Sequence, residues 1–490
     1  MSPTTLPAQR VEVLIVGAGF AGLGMAIKLK KAGIDSFLVL EKESGLGGTW
    51  LVNSYPGCAC DVQSHLYSYS FELNPLWSRM FATQPEILAY LEHCAREYGL
   101  EKHLQFDTAL DGAEWDEGQG LWKVRAADGR RYEANVLVSA IGGLSRPSVP
   151  EIPGLENFKG KTFHSQQWDH GYDLKGKRVA VIGTGASAIQ FVPQIAPDVA
   201  QLDLYQRTPP WILPKPDREI GRWEKLMYKT VPAAQKAFRN AIYWQLEARA
   251  LGFTVNPRLM KMPQRWAKAH IRRQIAEPGL RAKVTPDYQI GCKRILISDD
   301  YYPALTRANV DVLTSGIERI TATGVVSNGV ERPVDAIVFG TGFNVVDSLG
   351  KSQIRGRNGV ELREAWRELP QAYLGTAVAG FPNLFLLVGP NTGLGHNSII
   401  YMIEAQVGYI LKALKLMRRG KVKSLTVRES VMAKFNEKVQ GAHKRNVWSS
   451  GCKSWYLDAK GRNFSLWPGF TWKFRRLTAR FRAEDYAAVS

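Results

Sequence analysis

The chain has 490 residues, 45% hydrophobic and 22% charged, enough apolar material for about three domains, which excludes wholesale disorder and a disulfide-stapled miniprotein. Five cysteines (Cys58, Cys60, Cys94, Cys292, Cys452) form no C-x-x-C or zinc-ligand spacing, so no structural metal is expected and a reducing cytosol is the expected setting. Lys and Arg number 64 against 45 Asp and Glu, a formal +19 that suits nucleic acid, an acidic membrane surface or anionic small molecules.

Residues 11–16, Val-Glu-Val-Leu-Ile-Val, read as a short buried parallel strand. Gly17-Ala-Gly19-Phe-Ala-Gly22 follows, then a helical pattern, then a strand from Ser36 to Leu40 that ends at Glu41. In this context the glycines allow a tight turn, let the backbone approach a pyrophosphate and let helix pack on strand, while the helix N-terminus faces the phosphates. Glu41 is placed to accept hydrogen bonds from a ribose. The longest uncharged stretch, between Glu12 and Lys28, is shorter than the roughly 18–20 apolar residues of a spanning helix. A cytoplasmic protein without an integral membrane segment is expected. Cys58 and Cys60 are too close for a relaxed disulfide and lack the spacing of a flavin-disulfide reductase, which argues against that activity.

The layout recurs at Arg178–Ile182, Gly183-Thr184-Gly185-Ala-Ser187-Ala188, a helix through Ile189 and Val192, and a strand from Leu202 to Tyr205. Glu41 lies 24 residues after Gly17, and Arg207 lies 24 after Gly183. A carboxylate suits the free ribose hydroxyls of FAD or NAD; a guanidinium suits a 2′-phosphate, so the second site is expected to take NADPH. Strands that end in glycine at 136–142 and 336–343 carry the chain between the two units.

Prolines 209, 210, 214 and 216 mark a bend, after which Phe238, Ile242 and Leu246, then Trp266 with His270, then Ile271 with Ile275, recur at helical spacing. This reads as a helical insertion that shapes a substrate entrance. Its Trp223, Met227, Trp244, Met260 and Met262 are expected mainly in the core. The basic stretch Lys473–Arg482 reads as a solvated helix end rather than a membrane or nucleic-acid contact. The expected fold is α/β, with two nested Rossmann-like dinucleotide-binding domains. Residues 1–150 and 339–490 form the FAD domain, 151–208 and 286–338 the NADPH domain, and 209–285 the insertion.

Longer motifs narrow the reading. Phe158-x-Gly160-x-x-x-His164-x-x-x-Trp168-Asp169 resembles the fingerprint of type I Baeyer–Villiger monooxygenases, and Gly47-Gly48-Thr49-Trp50 with Tyr55-Pro56-Gly57 and Asp61 resembles their second long motif. The likeness continues through Gly291-Cys-Lys293-Arg294 and Gly340-Thr-Gly342-Phe343. It implies FAD and NADPH as cofactors, O2 and a small-molecule ketone as substrates, and ester or lactone formation through a C4a-peroxyflavin anion, with no nucleic acid as partner. The alternative is a flavin-containing monooxygenase that oxygenates nitrogen or sulfur. The resemblance assigns catalysis to Arg294, positioned by Asp61, because a developing oxyanion in a dry site calls for a fixed positive charge. It assigns cofactor binding to Gly48, Thr49, Trp50, Asp61 and Tyr67 beside the first motif, and to Thr184, Ser187 and Gln190 in the second. Arg207, Thr208 and Lys293 then clamp the 2′-phosphate, Trp455 lies near nicotinamide and substrate, and Asn391 lies in a loop at the flavin edge. His396 in that loop is expected to be satisfied by backbone. His164 is expected to tie the interdomain linker and Trp168 to pack.

Overall fold

The computed structural model describes residues 7–344, 353–452 and 454–489. The first apolar run becomes the strand Gln9–Val16, flanked in parallel register by Phe37–Leu40 and Arg131–Ser139. Val13 and Ile15 enter one core while Leu14 and Val16 enter another. Burial on both faces is why this strand is continuously apolar. Arg131–Ser139 is reached through an antiparallel meander, Leu110–Asp116 and Leu121–Ala126, and there alternation returns.

The chain then leaves this sheet. A second sheet of five parallel strands runs Val310–Leu313, Gln201–Tyr205, Arg178–Ile182, Ala336–Phe339, Lys161–His164. The chain returns to the first sheet as Gln353–Arg355 beside Leu110–Asp116 and Leu384–Leu386 beside Arg131–Ser139. One α/β unit is therefore nested inside the other. The outgoing and returning connections pair with each other: Ser148 N donates to Gly342 O at 2.9 Å and Asn344 N to Arg146 O at 3.0 Å.

The motif at 158–169 sits at this crossing. His164 is buried, its Nδ1 accepts from Gln166 N at 3.1 Å, and its ring meets Phe343 edge-on at 5.7 Å. Burial lowers its pKa, partly offset by a backbone contact with Gly342. Trp168 packs edge-on to Phe163 at 5.1 Å and against Phe191 at 5.3 Å. Asp169 pairs with Lys161 at 2.5 Å. A side chain at Gly160 would lie 2.5 Å from Asp335 O and from the Phe158 ring. His164 thus meets the returning connection, while Gly160, Trp168 and Asp169 pack within the second unit.

The insertion forms the helices Arg222–Thr230, Pro232–Ala248, Lys261–Gln274 and Pro278–Val284. Its contacts with the first unit are polar as well as apolar. Arg239 Nη1 donates to His65 O at 2.7 Å and Leu66 O at 3.0 Å, and Gln235 Nε2 donates to Asn74 O at 2.6 Å. Glu247, only 1% exposed, accepts from Thr471 N (2.6 Å), Thr471 Oγ1 (2.7 Å) and Asn397 Nδ2 (2.6 Å). Burial works against its ionised form, but the facing His396 ring and the hydrogen bonds from Thr471 and Asn397 prevail and hold the carboxyl below its ordinary pKa. Glu247→Ala would strand these donors in a buried site, at a cost of about 3–5 kcal/mol. A urea unfolding curve within about 1 kcal/mol of the parent would refute this role.

One expectation about the insertion is corrected. Met260 is buried, but Trp223, Met227, Trp244 and Met262 are exposed, at 83%, 42%, 59% and 59%. Helix Pro232–Ala248 turns Gln235, Arg239, Ile242, Tyr243, Leu246 and Glu247 inward instead, which leaves Trp244 on the opposite face.

Candidate active site

In the first unit Gly17 has φ +106°, and a side chain there would meet Ala140 O at 2.6 Å. Gly19 faces Gly48 from the second motif: a Cβ on Gly19 would lie 3.5 Å from Gly48 Cα, and one on Gly48 3.0 Å from Gly19 Cα. Two loops thus leave a notch bare of side chains, as a bound pyrophosphate requires. Glu41 is 5% exposed; its Oε2 accepts from Ala18 N at 2.7 Å and its Oε1 from Glu43 N at 3.0 Å. Burial raises its pKa and the two N–H donors oppose that rise. Each oxygen retains lone-pair capacity for a ribose hydroxyl. Trp50 Nε1 donates to Tyr67 Oη at 3.1 Å and Tyr67 meets Phe20 edge-on at 5.2 Å, while Thr49 is exposed at the start of the same turn. This unit fits FAD.

In the second unit Gly183 has φ +105°, and a Cβ there would lie 2.5 Å from Gly340 O. Gly185 is exposed, Ser187 stands just before the helix Ala188–Ile195 with no side-chain bond to it, and Thr184 Oγ1 donates to Thr208 O at 3.2 Å. Arg207 stands exposed just beyond the strand Gln201–Tyr205 and has no hydrogen bond or ion pair among the described residues. Lys293 lies with its Nζ 4.8 Å from the Tyr288 ring centroid. Its pKa is lowered by burial and then by the charge of Arg207. Two neighbouring cations, one of them without a partner, fit a coenzyme phosphate. Gln190 has partners in the first unit: its carboxamide accepts from Tyr55 Oη (2.9 Å) and Ala59 N (3.3 Å) and donates to Ala59 O (2.9 Å). The side chain is turned to the first unit and clamps the two motifs together.

Between the units stands an ion pair. Arg294 Nε donates to Asp61 Oδ2 at 3.1 Å, and Nη2 makes a second, shorter bond to the same oxygen. The side chains remain 39% and 29% exposed, so the pair is reachable from the cleft. The Asp61 carboxylate raises the guanidinium's pKa further, against burial. The partners are 233 residues apart in sequence, so the pair exists only once both units have folded and met.

The segment carrying Trp455 is fastened here. Cys292 and Cys452 are joined, Cα to Cα 6.2 Å, linking residues beside Arg294 to residues beside Trp455. Cysteine spacing showed no sign of this bond, since the partners are 160 residues apart; Cys58, Cys60 and Cys94 are free and buried. Trp455 is 48% exposed and its ring lies 4.4 Å from that of Tyr456. Sequence reasoning missed Tyr456. It is 1% exposed, its hydroxyl is unpartnered among the described residues, and its pKa is pushed up to about 12 by burial, a rise eased by Arg294. The one signal for it was its place next to Trp455.

Two loop residues face the C-terminal segment and the insertion. Asn391 is 3% exposed; its N–H donates to Phe464 O at 2.9 Å and its Nδ2 to Asn463 O (2.9 Å) and Leu466 O (3.1 Å). Its Nδ2 holds the C-terminal segment in place, and its Oδ1 has no hydrogen-bond partner among the described residues. His396 is not satisfied by backbone. Both ring nitrogens lack a hydrogen bond, and Nε2 faces the Glu247 carboxylate at 3.6 Å, because the loop points this ring at the insertion.

Comparison with known proteins agrees with this geometry. A model of the pyridine nucleotide-disulphide oxidoreductase family matches residues 14–223. A Baeyer–Villiger monooxygenase of Pseudomonas aeruginosa is 59% identical over 99% of this chain and 92% of its own length, and one of Streptomyces coelicolor is 48% identical over 98% and 93%. Among solved structures, an oxidized steroid monooxygenase bound to NADP is 31% identical with a TM-score of 0.89, covering 98% of this chain and 100% of that one. A closed cyclohexanone monooxygenase is 29% identical with a TM-score of 0.89, covering 99% and 100%. With two nested dinucleotide units, an Asp61–Arg294 pair between them and relatives of this identity over nearly its whole length, the chain belongs to the Baeyer–Villiger monooxygenase family.

Proposed function

We propose that this enzyme uses FAD, NADPH and O2 to convert a small-molecule ketone to an ester or lactone at the Asp61–Arg294 pair. The observation that carries the reading is the pair itself, a guanidinium held between the two dinucleotide units by a carboxylate from the other unit. FAD, when bound, supplies the oxygen-activating redox chemistry, with NADPH as its source of hydride. Glu41 holds the ribose of the first cofactor, and the Gly17–Gly22 turn with Gly48 admits its pyrophosphate. Arg207 and Lys293 hold the 2′-phosphate of the second, with Thr208 alongside. Arg294 stays charged at any working pH, so it stabilises negative charge that develops on oxygen in the cleft without exchanging a proton. Asp61 fixes its direction. Trp455, exposed beside Tyr456, closes the nicotinamide side of the cleft.

The direct test is a panel of linear, cyclic and aromatic ketones, with NADPH consumption and product mass measured together. An ester or lactone in proportion to NADPH consumed is the expected outcome. NADPH consumption that yields only hydrogen peroxide with every ketone would oppose the reading. Coenzyme choice tests the second site separately. Arg207→Ala is expected to raise KM for NADPH by about tenfold or more and KM for NADH by less than about twofold, because only the former loses a charge-assisted bond. An unchanged ratio of the two would refute the assignment.

A further inference from the structure

More than half of the chain's net charge lies in its helical insertion: residues 209–285 hold 16 Lys and Arg against 5 Asp and Glu, a formal +11 of the total +19. Three of the four tryptophans in that segment also face outward. On Arg222–Thr230, helical spacing puts Trp223, Leu226 and Met227 on one face, and all three are exposed while Tyr228 is buried. On Pro232–Ala248, Gln235, Arg239 and Glu247 are buried and Trp244 is exposed. On Lys261–Gln274, Met262 and Trp266 are exposed one turn apart, while Ala267, His270 and Ile271 are buried. Each helix buries an inward face, and these tryptophans form a second, outward apolar surface that the core does not use. Exposed cations border these positions, among them Lys229, Lys236, Arg265 and Lys268. The surface continues onto the helix Thr471–Thr478. There Thr471 Oγ1 lies 3.1 Å from Tyr243 Oη, Trp472 is 37% exposed, and Lys473 Nζ lies 5.5 Å from the Trp472 ring centroid.

Tryptophan, leucine and methionine rimmed by lysine and arginine suit the boundary between headgroups and acyl chains, where apolar surface is buried and cations meet anionic lipid. A second copy of the chain fits less well, because a two-fold interface would set this basic surface against its own image. We propose that the helical insertion is a peripheral docking face for an anionic lipid bilayer, entered by Trp223, Trp244 and Trp266. Such docking needs no spanning segment, in keeping with the lack of any helix long and apolar enough to cross a membrane among the described residues.

The test is sedimentation of the flavin-loaded enzyme with vesicles of pure phosphatidylcholine and with vesicles containing about a third phosphatidylglycerol. The expected result is binding to the anionic vesicles alone, reversed by high salt. Binding is expected to weaken roughly tenfold or more in Trp223→Ser/Trp244→Ser/Trp266→Ser. Lys229→Glu/Arg265→Glu/Lys268→Glu tests the same surface through its charge, at roughly fivefold per residue or more, and serves where the first variant fails to fold. Absence of vesicle binding, or binding equal in parent and both variants, would overturn the proposal. A dimer in light scattering that the tryptophan variant dissolves, without lipid binding, would assign the face to a second copy. Retention on DNA without lipid binding would assign it to nucleic acid.

Discussion

Arg294→Ala is expected to go on consuming NADPH while losing ester formation by about 10²–10³-fold, the range for removal of a group that stabilises a developing oxyanion. The missing product should appear as hydrogen peroxide. Separation of the two activities follows from where the charges lie. Arg207 and Lys293 are neighbours and are proposed above to hold the coenzyme phosphate, so coenzyme affinity is expected to be retained. Arg294 alone is paired across the cleft with Asp61. Arg294→Lys should recover only part of the loss: a lysine keeps the charge but replaces the planar fork that bonds Asp61 through both Nε and Nη2. Simultaneous measurement of NADPH loss, peroxide and ester decides the matter. Full ester yield in Arg294→Ala would refute the catalytic role, and a collapse of NADPH oxidation with flavin still bound would reassign Arg294 to the coenzyme site.

The nested fold was legible because its signals are local. Each dinucleotide turn needs glycines, a strand and a helix within about 30 residues, and the acidic or basic ending of the following strand declares which ribose it serves. Asp61 and Arg294 were legible only through longer motifs. Gln190 and Asn391 show what such motifs leave out. Gln190 lies in the first turn of the helix Ala188–Ile195 and Asn391 in a glycine-rich loop, and tertiary partners up to 135 residues away engage their carboxamides. The Cys292–Cys452 bond is equally non-local. The insertion illustrates a different limit. Helical spacing shows that Trp223, Leu226 and Met227 share a face, but it does not reveal which way that face points. Buried Arg239 and Glu247 turned the expectation around, since a carboxylate with three hydrogen-bond donors and the His396 ring about it can lie inside.

Gly22→Ala is expected to yield protein that is insoluble or free of flavin. The added methyl would lie 1.8 Å from Gly17 O and 3.4 Å from the Ile15 side chain, and the first of these is an overlap with backbone that no rotamer relieves. Relief requires the helix Phe20–Lys31 to move off the strand Gln9–Val16, which opens the core made by Ile15, Leu23 and Ile27 and misplaces Gly19 against Gly48. The second unit supplies the internal comparison. There the matching position is Ala188, fully buried, where the helix Ala188–Ile195 already accommodates a methyl group. The helix in that unit crosses its strand with room for one methyl, and the helix in the first unit does not. Ala188→Gly should therefore load flavin normally and lose about 1 kcal/mol or less, whereas Gly22→Ala should lose the flavin absorbance altogether. A yellow, soluble Gly22→Ala enzyme with parent activity would show that the first turn tolerates a wider crossing than this geometry allows.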